Sequence, residues 1–219
     1  MSKGLYVWEV PVRVTHWVNA ISIFVLTITG LYIGDPYLQA KSEYDFIMGQ
    51  MRFFHFICAY FLIAGMLFRI YWWFVGNKYA KIDQFIPMSS ERWNNLIGTA
   101  LFYGFMKKDL PHSPGHTGLA GLTYFFIFIL LIVEIITGFA LYSQSHAPNN
   151  TALYIAGGWL LNSFDAMTIR FVHHILMWCF MLFVLIHVYI SVHNQFIEKN
   201  ELVWSIFTGY KKMDEHPHH

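Results

Sequence analysis

The sequence predicts an all-α integral membrane protein, a four-helix bundle with both termini in the cytoplasm and further helices lying at the interface. Three observations carry this expectation. Apolar residues make up 56% of the 219 and charged residues only 12%, about half the charge of an ordinary soluble domain. Four apolar stretches, about Val14–Ile33, Phe53–Val75, Leu119–Tyr142 and Phe171–Val192, reach the roughly 20 residues a helix needs to cross the hydrocarbon of a bilayer. Lys and Arg are spread unevenly over the loops between them, and that bias sets orientation.

The bias is clear when counted. Lys3, Arg13, Lys78, Lys81, Arg92, Lys107, Lys108, Lys199, Lys211 and Lys212 fall on one side, 10 of the 14 basic residues. Lys41, Arg52 and Arg170 fall on the other, and Arg69 lies inside a span. The richer side is the cytoplasmic one, and four crossings return the chain to it. The whole chain, residues 1–219, reads as one membrane domain. The net charge of +1 and the absence of any basic motif give no reason to expect a nucleic-acid partner; the lipid bilayer is the expected environment.

Each element has its own justification. The first span is not a cleavable signal: it is long, and polar residues rather than a small-residue cleavage site follow Ile33. A short loop from Gly34 to Arg52 is broken by Asp35-Pro36. The cytoplasmic loop, residues 76–118, is long. Ser89-Ser90-Glu91 reads as a helix start and Lys107-Lys108 as a helix end. Trp93, Leu96, Ile97, Leu101 and Phe105 fall mostly at helical spacing between them, as in a helix lying on the membrane surface. Pro111, Pro114 and Gly115 then break the chain. Thr151–Phe164 is apolar enough to lie at the outer interface, and Gln195–Tyr210 reads as another surface helix. Cys58 and Cys179 fall inside apolar runs and read as small buried hydrophobes, not as a disulfide or a metal pair. The end, His216-Pro217-His218-His219, carries no weight in the argument.

The candidate site rests on a repeated spacing. Arg-x-x-His occurs three times, as Arg13/His16, Arg52/His55 and Arg170/His173, each at the mouth of an apolar run. Ionisable groups at such places are costly unless they have a function or a route to water. A cation three residues from an imidazole shares its helix face. That pairing suits an anionic cofactor whose metal is held by imidazole and whose carboxylates are held by guanidinium, and haem is such a cofactor. Depth then sorts the histidines. His16 opens the first span at the cytoplasmic level. His55 and His173 open the second and fourth spans, which enter from the periplasm. His187 follows His173 by 14 residues, roughly 21 Å down the same helix and within about 40° of the same face. His55 and His173 therefore share the periplasmic level, and His16 and His187 the cytoplasmic level. Two bis-histidine sites stacked across a membrane form a di-haem electron conduit. His174 and His193 point to other faces, and His112, His116 and His146 lie in loops.

Two charged residues lie within the spans. Arg69 follows His55 by the same 14 positions, so it sits on the His55 face at the cytoplasmic level. It is expected either to bind a propionate of the cytoplasmic haem and tune its potential or to snorkel to the interface. For Arg13, Arg52 and Arg170 a propionate role stands beside interface anchoring. Glu134, near mid-membrane and slightly to the outer side, is expected to be protonated and hydrogen-bonded across helices, with a place in a proton path as the alternative. It is expected not to reach Arg69 and is not taken as a site. A His-rich transporter of metal ions would need carboxylate or Cys partners facing the imidazoles, and the spans offer almost none.

Several segments carry a family resemblance. Val10-Pro11-Val12-Arg13-Val14-Thr15-His16-Trp17, with Thr29-Gly30 at the end of the first span, resembles the opening of the b-type cytochrome subunit of membrane-bound nickel–iron hydrogenases. Met51-Arg52-Phe53-Phe54-His55 and Arg69-Ile70-Tyr71-Trp72-Trp73-Phe74-Val75-Gly76-Asn77 are similar to its second span. Ile136-Thr137-Gly138-Phe139-Ala140-Leu141-Tyr142-Ser143 is similar to its third. His173, Met177-Trp178 and His187-Val188-Tyr189 are similar to its fourth, and Gly209-Tyr210 to its tail. The likeness covers nearly the whole chain, with one departure: family members often carry Arg where this chain has His174.

The resemblance implies the same four haem ligands, His16, His55, His173 and His187, holding two haem b groups. It implies a partner hydrogenase that splits hydrogen on the periplasmic side of a bacterial inner membrane. That partner has a large nickel–iron subunit and a small iron–sulfur subunit whose C-terminal membrane helix docks on the cytochrome. Electrons would enter at the His55/His173 level, cross to the His16/His187 level and reduce a quinone, typically menaquinone. The cytochrome subunit of formate dehydrogenase shares this four-span, di-haem plan and is the alternative within the redox class.

Overall fold

A computed structural model of the chain describes residues 4–38, 45–111, 113–144, 151–198 and 201–212. Lys3, Lys41, His112, His146, Lys199 and the terminal His216–His219 lie outside the described residues. Four helices dominate: α1 (Val10–Gly34), α2 (Ile47–Val75), α4 (Gly118–Ser143) and α6 (Ala166–Glu198), separated by the shorter α3 (Ser90–Tyr103) and α5 (Thr151–Ala156) and followed by α7 (Leu202–Thr208). The expected all-α class holds. The outward faces of all four are apolar, as faces in hydrocarbon must be. Only 17% of the most apolar window is buried in α1 and α2, and 11% in α4 and α6. Large apolar side chains such as Phe24, Phe61 and Leu185 stand on the outside. A water-soluble protein would bury that surface; here lipid covers it.

The helix ends follow local chemistry. Pro11 in the first turn of α1 sits where no backbone donor is needed. The Asp35 N–H closes its last turn on the Leu31 carbonyl, just before Pro36 stops the chain. Ser89 caps α3 as expected, its Oγ accepting from the Arg92 N–H at 3.2 Å. The apolar stripe of α3, Trp93, Ile97 and Leu101, is exposed, as suits a helix resting on a membrane.

Two boundaries differ from expectation. α3 stops at Tyr103, short of Lys107-Lys108. Phe105 turns left-handed at φ 59°, and the N–H groups of Phe105 and Met106 return to the carbonyls of Phe102 and Leu101. That is the Schellman closure usually built on glycine, here with a residue no sequence rule flags. The stretch Thr151–Phe164, for which no element was expected, forms α5 and a 3-10 turn at Gly158–Asn162. The tail is not one helix. α6 runs on to Glu198, and α7 is a separate short helix.

The chain divides into two compact units, Met1–Gly121 with Ile190–His219, and Leu122–Tyr189. In the first, a small two-stranded sheet, absent from the expectation, pairs β1 (Gly4–Tyr6) antiparallel with β2 (Tyr210–Lys212), matching Leu5 with Lys211. The N–H groups of Val7 and Trp8 donate to the Gly209 carbonyl. Gly209 has φ 88°, and a Cβ there would lie 2.6 Å from the Tyr6 ring, so the turn needs glycine. Val7, Trp8, Val12 and Ala80 form a buried cluster beneath this sheet, flanked by Trp72 and Ile206. Trp8 Nε1 donates to Ser205 Oγ at 3.0 Å. The Glu9 carboxylate accepts from Trp72 Nε1 at 2.9 Å and from the Asn77 N–H at 2.8 Å. These bonds tie the start of α1 to the end of α2 on the tail side of the unit.

In the second unit the 3-10 turn packs tightly on α4. A Cβ on Gly157 would lie 2.3 Å from the Ile136 carbonyl. α6 begins on Asp165, whose carboxylate accepts from the Thr168 N–H at 2.9 Å and the Thr168 hydroxyl at 2.7 Å. Cys58 and Cys179 are both free thiols, as expected, but they are not buried: Cys58 is half-buried and Cys179 exposed. Both lie on helices whose outer surface is apolar, so lipid rather than protein supplies the apolar surroundings.

Candidate functional site

In the first unit His55 projects from α2 toward α1. Its Nδ1 lies 2.9 Å from Thr29 Oγ1. Thr29 is 4% exposed, and its hydroxyl also contacts the Val25 carbonyl at 2.8 Å and the Leu26 carbonyl at 3.2 Å. A hydroxyl has one proton, and a carbonyl can only accept. With its proton turned to the helix backbone, the oxygen can accept from the imidazole. That arrangement suits hydrogen on Nδ1, with the lone pair of the neutral ring on Nε2.

The second unit repeats the device. Thr137 on α4 is 5% exposed, and its hydroxyl contacts the Val133 carbonyl at 3.0 Å and the Glu134 carbonyl at 2.9 Å. Its Oγ1 lies 3.0 Å from Nδ1 of His173 on α6. The same reasoning places hydrogen on Nδ1 and the lone pair on Nε2. Gly138 lets the ring come close: a Cβ there would sit 3.3 Å from His173 Cε1. The Glu134 carboxyl also reaches this imidazole, with Oε1 3.3 Å from Nδ1. Glu134 thus faces a side chain of another helix, and that side chain is a candidate ligand.

His187 is held differently. The Tyr124 hydroxyl lies 3.2 Å from its Nδ1, with the rings edge-on at 5.5 Å. Phe183, one turn earlier on α6, stacks on it at 5.6 Å and 19°. His16 is half-buried on α1, with Trp17 edge-on at 5.3 Å. His16 and His55 belong to the first unit, His173 and His187 to the second.

The arginines separate into two kinds. Arg69 is half-buried, its guanidinium 5.0 Å from the centre of the Phe85 ring, and its buried Nη1 has no acceptor among the described residues. Glu9 acts on it through space. A buried guanidinium N–H without a partner is expensive, and an anionic carboxylate would satisfy it. Arg13 donates from Nη1 to the Phe207 carbonyl, while its buried Nε has no acceptor. Arg52 and Arg170 are exposed, which fits interface anchoring. Among the described residues no group of three or more His, Cys, Asp or Glu side chains could hold a bare metal ion.

Imidazoles with Nδ1 anchored and Nε2 bearing the lone pair, placed along apolar helices, suit axial ligation of an iron porphyrin. Residues 7–209 match the prokaryotic cytochrome b561 family. The chain belongs to that family. It is 34% identical over 212 residues to a probable Ni/Fe-hydrogenase B-type cytochrome subunit of Rhizobium leguminosarum bv. viciae, covering 94% of this chain and 88% of the relative. It is 35% identical over 214 residues to a protein of the same description from Cupriavidus necator, covering 95% and 87%. A probable Ni/Fe-hydrogenase 1 B-type cytochrome subunit of Escherichia coli K12 is 31% identical over 211 residues, covering 94% and 90%. As a b-type cytochrome the chain takes haem b, and the donor set fits it: imidazoles for iron, and the unsatisfied Arg69 Nη1 for an anionic carboxylate.

Sequence reasoning passed over Thr29, Thr137, Tyr124 and the contact of Glu134 with His173. One signal was present. Thr-Gly occurs near the end of both the first and the third span, and Glu134 precedes Thr137 by three residues, on one helix face.

Proposed function

We propose that this chain is the di-haem b subunit of a hydrogen:quinone oxidoreductase in a bacterial inner membrane. It accepts electrons from a periplasmic nickel–iron hydrogenase, through the iron–sulfur small subunit, and delivers them to membrane quinone, menaquinone in this reading. It also anchors the small and large hydrogenase subunits to the bilayer. The observation that carries the reading is the hydroxyl-anchored imidazole, found at both His55 and His173, which leaves an Nε2 lone pair on each ring. The names of the relatives support the choice of hydrogenase as electron donor.

By depth along their helices, His55 and His173 are assigned to the periplasmic haem and His16 and His187 to the cytoplasmic haem. Haem b supplies one-electron redox chemistry at its iron. The chain supplies the rest: fixed imidazoles, a guanidinium at Arg69 for a propionate, and apolar helix surface that excludes water. The four long helices act as one membrane domain with both termini cytoplasmic.

The test is spectroscopic. Protein purified with its hydrogenase partner should be red, show a reduced-minus-oxidised b-type spectrum and contain two haems per chain. Hydrogen should reduce both haems and a menaquinone analogue should reoxidise them. A folded, colourless preparation sinks the reading, and haem reduced by formate but not by hydrogen redirects it to the other partner.

A further inference from the structure

The structure holds a matched pair that the haem assignment alone does not explain. Thr29 and Thr137 lie on different helices, in different units, yet each bonds the imidazole of the next long helix in sequence. Each is followed by glycine, and each hydroxyl lies within hydrogen-bond distance of carbonyls of its own helix. A buried hydroxyl with one lone pair left over costs little if an N–H points at it. Serving that N–H is the only part of its chemistry the helix does not use.

We infer that Thr29 and Thr137 are positioning residues for haem ligation: they hold His55 and His173 as Nδ1–H tautomers with Nε2 presented to iron, and they set the potential of the haem so bound. The inference rests on the haem reading above. An acceptor on Nδ1–H makes an imidazole a stronger donor through Nε2 and favours the oxidised metal. Removing the acceptor therefore raises the midpoint potential. The two sites differ in one respect. At His55 the partner of Nδ1 among the described residues is Thr29 Oγ1. At His173 the Glu134 carboxyl stands 3.3 Å from the same nitrogen. Loss of Thr137 is partly covered by Glu134, and loss of Thr29 has no such carboxyl to cover it.

The experiment uses the complex purified with its hydrogenase. Thr29→Val and Thr137→Val keep shape and remove the hydroxyl; Thr29→Ser and Thr137→Ser keep the hydroxyl and remove the methyl. Haem content, redox titration and the low-spin ferric electron paramagnetic resonance signal are measured for each. The expected result is two haems per chain, a positive shift in one of the two midpoint potentials in each Val variant, and wild-type values in each Ser variant. The shift should be larger for Thr29→Val than for Thr137→Val. Thr137→Val combined with Glu134→Leu should exceed either alone. If a Val variant loses haem, recovery of haem in the Ser variant supports the hydroxyl's role, and loss in both overturns it, since packing would then be the cause. Two haems with unchanged potentials and unchanged resonance signals in both Val variants would overturn the inference and leave the haem reading standing. A wild-type complex without haem would fail the reading beneath it instead.

Discussion

His173 and His187 project from the same helix, 14 residues apart in sequence, and are held by opposite means. His173 meets a threonine whose proton is turned to the backbone, with a carboxyl beside it and a glycine making room. His187 meets a phenol, which can donate or accept, and the flat face of Phe183. The first environment bears on which ring nitrogen carries the proton. The second fixes where the ring plane lies. The His173 end of α6 is thus set by hydrogen bonding, and the His187 end by packing.

Replacing the rings tests this contrast most severely. His173→Ala and His187→Ala should each reduce haem from two per chain to one, and each should stop electron flow from hydrogen to quinone. Hydrogen oxidation with an artificial dye should persist in His187→Ala. Loss of both activities alike in that variant argues against the assigned order of the two levels. Gly138→Ala comes next. The added methyl would sit 3.3 Å from His173 Cε1, and such overpacking costs about 1–3 kcal/mol. Haem occupancy at the outer level should fall while the inner level is unaffected, read by redox titration of the two components.

Arg69→Leu removes the cation proposed to meet a haem propionate. A cation near a haem disfavours the oxidised iron more than the reduced iron, so without it the midpoint potential of the haem it serves should fall, with haem content retained. Unchanged potentials leave interface anchoring as its role. Tyr124→Phe should do less than either threonine substitution proposed above, because Phe183 still fixes the ring; an equal shift would erase the distinction between the two ends of α6. The smallest effect belongs to Asp165, which caps α6. Its bonds to Thr168 hold its carboxyl below the usual range, so its contribution is full above the unfolded carboxylate pKa. That contribution fades as pH falls through the lower folded value. Asp165→Asn should lower thermal stability slightly at neutral pH, and the difference from wild type should vanish in acid.

The four spans were legible because hydrocarbon imposes one requirement, about 20 apolar residues, and any chain meeting it declares itself. Ser89 as a cap was legible for a similar reason: few residues satisfy an orphan N–H. The end of α3 was not, since Phe105 occupies a left-handed position that sequence rules reserve for glycine. The depth of the four histidines could be counted along each helix. Their hydroxyl partners could not, because Thr29 meets His55 and Thr137 meets His173 only through the rotation of one helix about its axis relative to the next. Glu134 shows the limit most sharply. Counting along α4 gives its depth but no partner, and the structure puts it against the His173 imidazole. Which side of α4 faces α6 decides its chemistry, and a span so largely apolar carries no stripe to reveal that.

The pairing of β1 with β2 has a consequence for insertion. Two strands can hydrogen-bond only if they emerge on the same face of the bilayer, so the sheet forms after an even number of crossings and never after an odd one. A chain that skipped a span would leave both strands, the buried Trp8 and the Gly209 turn without partners, in separate compartments. Six residues of sheet thus act as a parity check on a membrane topology built by more than a hundred residues of helix.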